Sequence, residues 1–273
     1  MKQKTDLIVF PEAFVPGYPY WLTEASNLTP AQQKELYLRY ASQAVVMEEG
    51  HLSGICSQLK TWKMACYLGI VERQNHSLYM SMVHINKQGV VLSVHRKLCP
   101  SYKERAVISP GDGNGLVTHK LDGFTLGGLN SDDNWMPLTR AALYAQAEDV
   151  HVACWSGNQE LTSDITRVIA KESRSYVISV GAVMRPEDVD SETPYANLVK
   201  ESIGNGTYHG GCCVAGPDGA WVLPLQPGVQ SLRYCVLDPA FVRNLRQDFN
   251  NTRPDVTQLV VQRKRQAMAQ FQE

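Results

Sequence analysis

Three short segments of the sequence carry a polar reactive side chain at the point where an apolar segment ends. They are FPEAF with Glu12, HRKL with Lys97 and LNSDDN with Ser131. A carboxylate, an amine and a hydroxyl are the groups that take part in acid–base and nucleophilic chemistry. Because α/β proteins place their sites where buried strands end, each of the three segments marks a candidate site.

Each of these residues, taken alone, has an ordinary alternative interpretation. Glu12 could be a solvated loop acid, since carboxylates are mostly exposed. Lys97, beside Arg96, could belong to a basic loop. Ser131 precedes a predicted helix, and a serine in that position is more often a helix cap than a nucleophile. The three residues therefore indicate a catalytic site only when they are considered together and in this order along the chain.

In combination, the segments resemble the nitrilase branch of the carbon-nitrogen hydrolase superfamily. The resemblance rests on VFPEAFVPGYP, HRKLCPSYKERAVISPGDG and GGLNSDDNWMPLTRAALYAQ, and it continues through HVACWSGNQELTSDITRVIAKESRSYVISVGAVM and GPDG to TRPDVTQL. It covers nearly the whole chain. Amidase branches of the superfamily share the same catalytic residues, but the VPGYPYW loop and the TRPDV segment resemble the nitrilase branch more closely.

The resemblance implies an α/β fold, a four-layer α-β-β-α sandwich, and a cofactor-free Glu-Lys-Cys site that hydrolyses a nitrile to a carboxylic acid and ammonia. Glu12 matches the general base and Lys97 the residue that stabilises the tetrahedral intermediate. Glu104 matches a second glutamate that positions groups around the lysine. Ser131 stands at the position of the nucleophile. We expect the substrate pocket to contain Asp132, Asn134, Trp135, Cys154 and Trp155.

The sequence departs from the family pattern at three consecutive positions. The family pattern is approximately L-N-C-W-E-N-W-M-P-L, whereas this chain has Ser131, Asp132 and Asp133 in place of the cysteine, the aromatic residue and the glutamate. A serine hydroxyl is far harder to deprotonate than a thiol, and Asp132 opposes the development of negative charge beside it. Asp133 is one methylene shorter than glutamate, and a shift of about 1 Å can cost on the order of a hundredfold in rate. We therefore expect activity to be absent or much reduced.

Cys154 ends the segment VHVAC and is the other thiol to weigh near the site. Free cysteine is among the most buried residue types and usually behaves as a small apolar side chain, so a core role is favoured over a reactive one.

The resemblance also implies a first strand and helix before Asp6 to Phe10, and Met1 falls within that helix. We expect one domain, residues 1–273, that is short at its N-terminus through a misplaced start or a truncation. A genuinely shortened protein would need a partner to cover the exposed strand edge and sheet face.

Two hypotheses of different classes follow, and the sequence leaves open whether the chain is an active enzyme. The first is a nitrilase-type hydrolase of a small organic nitrile, impaired by Ser131, in which Ser131 could still act weakly with Glu12 as base. The second is a non-catalytic homologue that binds small molecules or serves as an assembly subunit. A deliberately altered chain that traps substrate is a third interpretation, although such a change would normally stop at one residue.

By analogy with the superfamily we expect a homo-oligomer, a dimer or a larger spiral.

The elements that must position these residues follow from periodicity and turn signals. Residues 6–10 predict a buried strand, and Thr29, Pro30 and Gln32 predict a helix start with a capping box and an apolar stripe from Leu36 through Tyr37, Tyr40 and Ala44 to Met47. Further predictions are a helix over 51–61, strands over 64–72, 77–85 and 90–94 with a hairpin turn at 86–89, strands over 125–129, 150–154 and 176–184, helices over 136–146 and 161–173, a turn at 216–219, a strand over 231–237 and a helix over 239–248.

Composition excludes several other classes. A net charge of -1 and a pI of about 6.7 lack the basic footprint of a nucleic-acid-binding protein. No stretch approaches the roughly 20 apolar residues of a membrane helix, and the start lacks a signal peptide, so we expect a cytoplasmic protein. The cysteines show no CxxC pair, which argues against a disulfide framework, a zinc site or any metal cofactor; they are residues 56, 66, 99, 154, 212, 213 and 235.

Overall fold

The computed structural model describes residues 4–157, 159–206 and 208–248 of the 273-residue chain. Within these ranges the chain forms two β-sheets with helices on their outer faces. The TRPDVTQL segment lies outside the described residues, as does residue 1.

The first sheet has four strands in the order β1-β2-β3-β4, with β1 parallel to β2 and the other pairs antiparallel. The strands are β1 Leu7–Val9, β2 Ala65–Gln74, β3 Ser77–Ile85 and β4 Val91–Arg96. The predicted hairpin turn joins β3 to β4, where the Gly89 amide donates to the Asn86 carbonyl at 2.9 Å. β1 is half-buried rather than fully buried as predicted, because it is the edge strand of this sheet in the described part of the chain.

The second sheet has six strands in the order β10-β9-β8-β7-β6-β5. β6, β7 and β8 are mutually parallel, so their carboxyl ends meet at one edge. The strands are β5 His119–Leu121, β6 Phe124–Asn130, β7 Val150–Trp155, β8 Tyr176–Gly181, β9 Cys213–Ala215 and β10 Trp221–Leu223. The predicted turn at 216–219 connects β9 to β10, where the Gly219 amide donates to the Gly216 carbonyl at 2.7 Å.

The first helix begins where the sequence signals indicate, whereas the helix Ala196–Gly204 was not predicted. Thr29 caps the first helix, and its side chain and that of Gln32 form the predicted reciprocal capping box. Leu36 and Tyr40 supply the buried stripe, but the helix ends before Met47. In the described ranges the helices are α1 Pro30–Gln43, α2 Ser53–Trp62, α3 Pro137–Tyr144, α4 Gln159–Ser173, α5 Ala196–Gly204 and α6 Pro239–Asp248.

Three apolar clusters define four layers. On the outer face of the first sheet, Leu59 of α2 packs against Leu68 and Ile70 of β2. The two sheets meet through an inner cluster that includes Tyr67, Met82, Leu126 and Val152. The outer face of the second sheet is covered by α4, whose buried side chains pack with Ala153, Trp155 and Val177. The order helix, sheet, sheet, helix confirms the α-β-β-α sandwich.

The predicted strand over residues 231–237 is wrong. This segment forms no ladder with any described strand, and its alternating apolar side chains are exposed: Leu232 is 66%, Tyr234 54% and Val236 87% accessible. An alternating pattern specifies a strand only where a neighbouring strand accepts its backbone hydrogen bonds, and no described strand does so here.

Candidate active site

Glu12 lies in a tight loop that follows β1 and contacts both sheets. The Phe10 amide donates to the Tyr67 carbonyl at 2.9 Å, and the Glu12 amide donates to the Trp155 carbonyl at 3.3 Å. The loop passes so close to β2 that a Cβ atom on Gly69 would lie 1.9 Å from the Pro11 carbonyl oxygen. Ala13, the next residue, has a left-handed φ of +49°. Glu12 is 1% exposed, so it is not the solvated loop acid of the alternative interpretation.

Lys97 follows β4 and points into the protein. Successive strand residues face opposite sides. Arg96 accordingly points to the outer face of the first sheet, where its guanidinium pairs with Glu72. Lys97 points to the opposite side and is 1% exposed. The Lys97 amide donates to the Met80 carbonyl at 2.7 Å. A buried lysine in this position is not part of a basic loop.

Two carboxylates contact the Lys97 ammonium. Its Nζ lies 2.8 and 3.0 Å from the two oxygens of Glu104 and 3.1 Å from Oε1 of Glu12. Glu104 begins a short 3₁₀ helix, is 2% exposed, and also accepts hydrogen bonds from the Tyr18 hydroxyl at 2.8 Å and the Ser101 amide at 2.7 Å. The acids predicted to flank the lysine therefore converge on it.

The two acids differ in their protonation chemistry. Burial raises the pKa of Glu12 to about 8, although Lys97 opposes the rise. Burial also disfavours the charged form of Glu104, but Lys97 and the hydrogen bonds from Ser101 and Tyr18 outweigh it and lower the pKa of Glu104. Burial disfavours the charged ammonium too, but Glu12 and Glu104 overcome this effect and raise the pKa of Lys97. Glu12 is thus the member of the group that can exchange a proton near neutral pH.

Ser131 occupies a strained turn at the carboxyl end of β6. It has a left-handed φ of +42°, is 8% exposed, and opens a 3₁₀ helix, Ser131–Trp135. Left-handed conformations are uncommon for residues other than glycine and cluster at functional sites. The preceding side chain, Asn130, donates to the Met80 carbonyl at 3.3 Å, which also accepts from the Lys97 amide. One carbonyl of β3 therefore holds the serine turn beside the lysine.

Asp133 links the serine turn to the lysine loop, a role that the sequence analysis missed. Its carboxylate accepts hydrogen bonds from the Leu98 amide at 2.9 Å and the Cys99 amide at 3.2 Å, and it lies 3.0 Å from Nε2 of His95. The shorter side chain thus reaches its partners. His95 could have been singled out only as a neighbour of Lys97 in the HRKL segment.

Asn134 is buried and stabilises the same turn through hydrogen bonds. Its amide nitrogen donates to the carbonyls of Ser131 at 3.0 Å and Leu129 at 3.2 Å. Its amide oxygen lies 2.8 Å from Nε2 of His151, whose other ring nitrogen contacts Glu148 at 2.8 Å. Asn134 therefore supports the backbone of the site rather than lining a pocket, and sequence reasoning missed its buried partners.

The four remaining residues that were predicted to line the pocket lie in different surroundings. Cys154 packs between the sheets with its thiol 3.2 Å from the Phe10 carbonyl oxygen, and burial raises its pKa well above the usual value. Trp155, the next residue, points to the opposite face into the α4 cluster, so its indole does not line a pocket beside Lys97. Trp135 is 45% exposed at the surface. Asp132 is half-buried and lies near enough to shift the pKa of Lys97 and Glu12.

Among the described residues there is neither a candidate metal-binding cluster nor a helix that could span a membrane. Within these ranges no three His, Cys, Asp or Glu side chains come together in an arrangement that could hold a metal ion. None of the helices described has both the length and the apolar character that a bilayer crossing requires.

Comparison with known proteins gives a consistent family. Residues 1–247 match the family model described as carbon-nitrogen hydrolase. The chain is 30% identical to an aliphatic nitrilase of Rhodococcus rhodochrous, over 93% of this chain and 72% of that protein. It is 31% identical to a nitrilase of Pseudomonas syringae pv. syringae (strain B728a), over 93% of this chain and 79% of that protein.

Solved structures support the fold. A carbon-nitrogen hydrolase from Helicobacter pylori G27 superposes with a TM-score of 0.71 at 17% identity, covering 90% of this chain and 82% of that one. A CN-hydrolase superfamily protein from Xanthomonas campestris superposes with a TM-score of 0.67 at 14% identity, covering 94% and 86%.

Proposed function

This chain belongs to the carbon-nitrogen hydrolase family, on its nitrilase branch, and we propose that it hydrolyses a small organic nitrile at a rate much reduced by Ser131. The observation that carries the proposal is the buried Lys97 ammonium, held by Glu12 and Glu104 beside the turn of Ser131. The nitrilases among its relatives support nitrile as the substrate class.

In the proposed reaction Glu12 acts as general base and Ser131 as nucleophile. Glu12 removes the hydroxyl proton while the Ser131 oxygen bonds to the nitrile carbon, and the nitrile nitrogen gains a proton to give an imidate ester. Water activated by Glu12 adds to the same carbon, and ammonia leaves from a tetrahedral intermediate whose charge Lys97 stabilises. A second water cleaves the ester, releasing the carboxylic acid and restoring Ser131.

The nucleophilic step limits this scheme. Glu12, with a pKa of about 8, is matched to a thiol with a pKa near 8.5 rather than to a serine hydroxyl. Serine enzymes overcome the difficulty with a hydrogen-bonded base that is itself oriented by a third group. Among the described residues no side chain forms a hydrogen bond with the Ser131 hydroxyl, and the Glu12 carboxyl contacts the Lys97 ammonium, 3.1 Å from its Oε1, rather than that hydroxyl. The nucleophile and the base are therefore not connected.

The missing hydrogen bond also favours a second candidate function. A non-catalytic homologue that binds a small molecule, or serves as an assembly subunit, would need the buried scaffold but no contact between Ser131 and Glu12. This candidate predicts ligand binding without turnover.

We further propose that residues 1–273 form one domain of a cytoplasmic homo-oligomer that uses no cofactor and binds neither nucleic acid nor membranes. The exposed apolar side chains of residues 229–237 support self-association, because exposed apolar patches mark interaction surfaces. The net charge of -1 supports the exclusion of nucleic acid.

Ammonia release from a panel of aliphatic and aromatic nitriles tests the proposal. We expect trace activity from the wild type and an increase on the order of a hundredfold or more in Ser131→Cys, equivalent to a few kcal/mol of activation free energy. A second variant adds Asp132→Trp and keeps Asp133, because its carboxylate already has its partners. Ser57→Cys, which adds a thiol on the exposed face of α2, is the matched control.

Two outcomes would count against the impaired hydrolase. Equal turnover in the wild type and Ser131→Cys would show that the hydroxyl is not limiting. No turnover in any variant, together with measurable ligand binding, would support the non-catalytic candidate.

A further inference from the structure

A buried chain of hydrogen bonds connects Glu148 to the serine turn through His151 and Asn134. Oε1 of Glu148 lies 2.8 Å from Nδ1 of His151, and Nε2 of His151 lies 2.8 Å from the amide oxygen of Asn134. The amide nitrogen of Asn134 donates to the Ser131 carbonyl at 3.0 Å. Glu148, His151 and Asn134 are each 0% exposed, so a mismatch of donor and acceptor in this chain would be costly.

The orientation of the Asn134 amide is fixed by two backbone carbonyls. The Ser131 and Leu129 carbonyls accept hydrogen bonds and cannot donate them, so the atom that faces them must be the amide nitrogen. The amide oxygen therefore faces His151. Because this oxygen can only accept, Nε2 of His151 must carry a hydrogen.

This requirement leaves a proton to be found between His151 and Glu148. A neutral imidazole has one N–H group, and with that hydrogen on Nε2 the lone pair of Nδ1 points at the Glu148 carboxyl. An ionised carboxyl is also an acceptor, so the two atoms, 2.8 Å apart, need a proton between them. With that proton, the pair is either an imidazolium beside a carboxylate or an imidazole beside a carboxylic acid.

The charge balance of the pair leads to the same conclusion. Without the extra proton, Glu148 would be a carboxylate at 0% exposure whose Oε2 has no hydrogen-bond partner in the described ranges. Arg246 donates to the backbone carbonyl of Glu148, but its guanidinium pairs with the Asp149 carboxylate. A buried charge without a counter-charge is strongly unfavourable, whereas the protonated Glu148–His151 pair has no net charge.

We infer that Glu148 and His151 are positioning residues that share one retained proton, and that this proton keeps the Asn134 amide in the orientation that supports the Ser131 turn. Without it, either Nδ1 would face the carboxylate as a second acceptor or Nε2 would face the Asn134 oxygen as one. Rotation of the amide would only move the conflict to the Ser131 carbonyl. The retained proton follows from the geometry, whereas its effect on turnover rests on the proposed function.

Solid-state NMR of the wild-type chain, labelled with nitrogen-15 and carbon-13, tests for the proton directly. The His151 ring nitrogens and the Glu148 carboxyl carbon are assigned through their backbone neighbours, and the chemical shift of each reports its protonation. At neutral pH we expect a hydrogen on Nε2 of His151, together with one on either Nδ1 or the Glu148 carboxyl. A hydrogen on Nδ1 alone would overturn the inference, as would a hydrogen on Nε2 alone beside an ionised Glu148.

Substitutions at Glu148 in the Ser131→Cys background test the positioning role through ammonia release from nitriles. Glu148→Gln supplies an amide that can donate to Nδ1, so His151 keeps its hydrogen on Nε2 without an added proton. It should retain most of the turnover. Glu148→Met fills similar space without a donor and should lower kcat about tenfold with little change in KM, because the turn shifts. Glu201→Met, which removes an exposed acid on α5, is the matched control.

Equal turnover in Glu148→Gln and Glu148→Met, whether retained or lost, would overturn the positioning role. The NMR measurement needs no turnover, so it separates the inference from the proposed reaction. If the proton is present and Ser131→Cys hydrolyses no nitrile, the proposed function fails and the retained proton stands. If nitriles are hydrolysed and the proton is absent, the reaction stands and the inference fails.

Discussion

The lysine group and the serine turn, the two halves of the candidate site, differ in how their polar atoms are engaged. In the lysine group Glu104 uses both oxygens, and every charged side chain is at most 2% exposed. In the serine turn Asn134 and Asp133 form hydrogen bonds with backbone atoms. The Ser131 hydroxyl and the Asp132 carboxylate, in contrast, have no hydrogen-bond partner among the described residues. The groups that position the turn are therefore separate from the groups that would react.

This separation explains how the chemistry can change while the fold of the turn persists. The left-handed turn at Ser131 is held by hydrogen bonds that Asn134 donates to backbone carbonyls and that the Asp133 carboxylate accepts from backbone amides. None of these bonds involves the side chains at positions 131 and 132. Those two side chains can differ from the family pattern without loss of the local structure.

Removal of the charge at the centre of the lysine group should have the largest effect. Lys97→Met leaves Glu12 and Glu104 buried without a cation, and breaking a buried ion pair in this way costs about 3–5 kcal/mol. Urea unfolding measures the loss. The control is Lys87→Met, whose ion pairs with the exposed Asp6 and Asp122 should contribute at most about 1 kcal/mol. Similar losses in both variants would refute the special role of Lys97.

The raised pKa of Glu12 predicts a pH dependence of both activity and stability. Turnover by Ser131→Cys should increase as pH rises through about 8, where Glu12 becomes the free base. Because the folded-state pKa is raised, the protonated form stabilises the fold, and this contribution is lost as pH rises from about 5 to about 8. In Glu12→Gln that part of the stability decrease should vanish and turnover should cease. Parallel pH profiles of unfolding for both proteins would contradict the assignment.

The close approach of the Glu12 loop to β2 predicts a smaller effect. Gly69→Ala would place a Cβ against the Pro11 carbonyl, and such overpacking costs about 1–3 kcal/mol. It should also lower the turnover of Ser131→Cys, because the loop that carries Glu12 must shift. Gly54→Ala is the matched control, since its Cβ meets open space on α2 and the change should be stabilising by up to about 1 kcal/mol. Thermal unfolding compares the two.

The two aspartates of the serine turn should respond unequally, by the smallest amounts. Asp133→Asn weakens the bonds to Leu98, Cys99 and His95 and should cost about 1–2 kcal/mol. Asp132→Asn changes a carboxylate that has no hydrogen-bond partner in the described part of the chain, and it should alter the free energy of unfolding by no more than about 0.5 kcal/mol. If Asp132→Asn proved the more destabilising, the division between positioning and reactive groups would be wrong.

Local signals predicted most of the elements, but they missed α5 and β5 and predicted one strand that does not form. The capping box at Thr29 and Gln32 and the turn at residues 86–89 depend on neighbours within four residues, and both form as predicted. The strand predicted over 231–237 depended on a pairing partner elsewhere, which its alternating pattern does not specify. Trp155 was assigned to a pocket because it follows Cys154, whereas strand alternation sends it to the opposite face.

The sequence by itself determined the family, the layered fold and the positions of Glu12, Lys97, Glu104 and Ser131, because these depend on motifs and periodicities within short segments. The tertiary structure alone decided which polar atoms are engaged. Asp133 meets residues 34 to 38 positions away, and Asn134 meets His151 17 positions away. Such contacts arise only when β4, β6 and β7 are brought together, and among the described residues they leave the side chains of Ser131 and Asp132 without a hydrogen-bond partner.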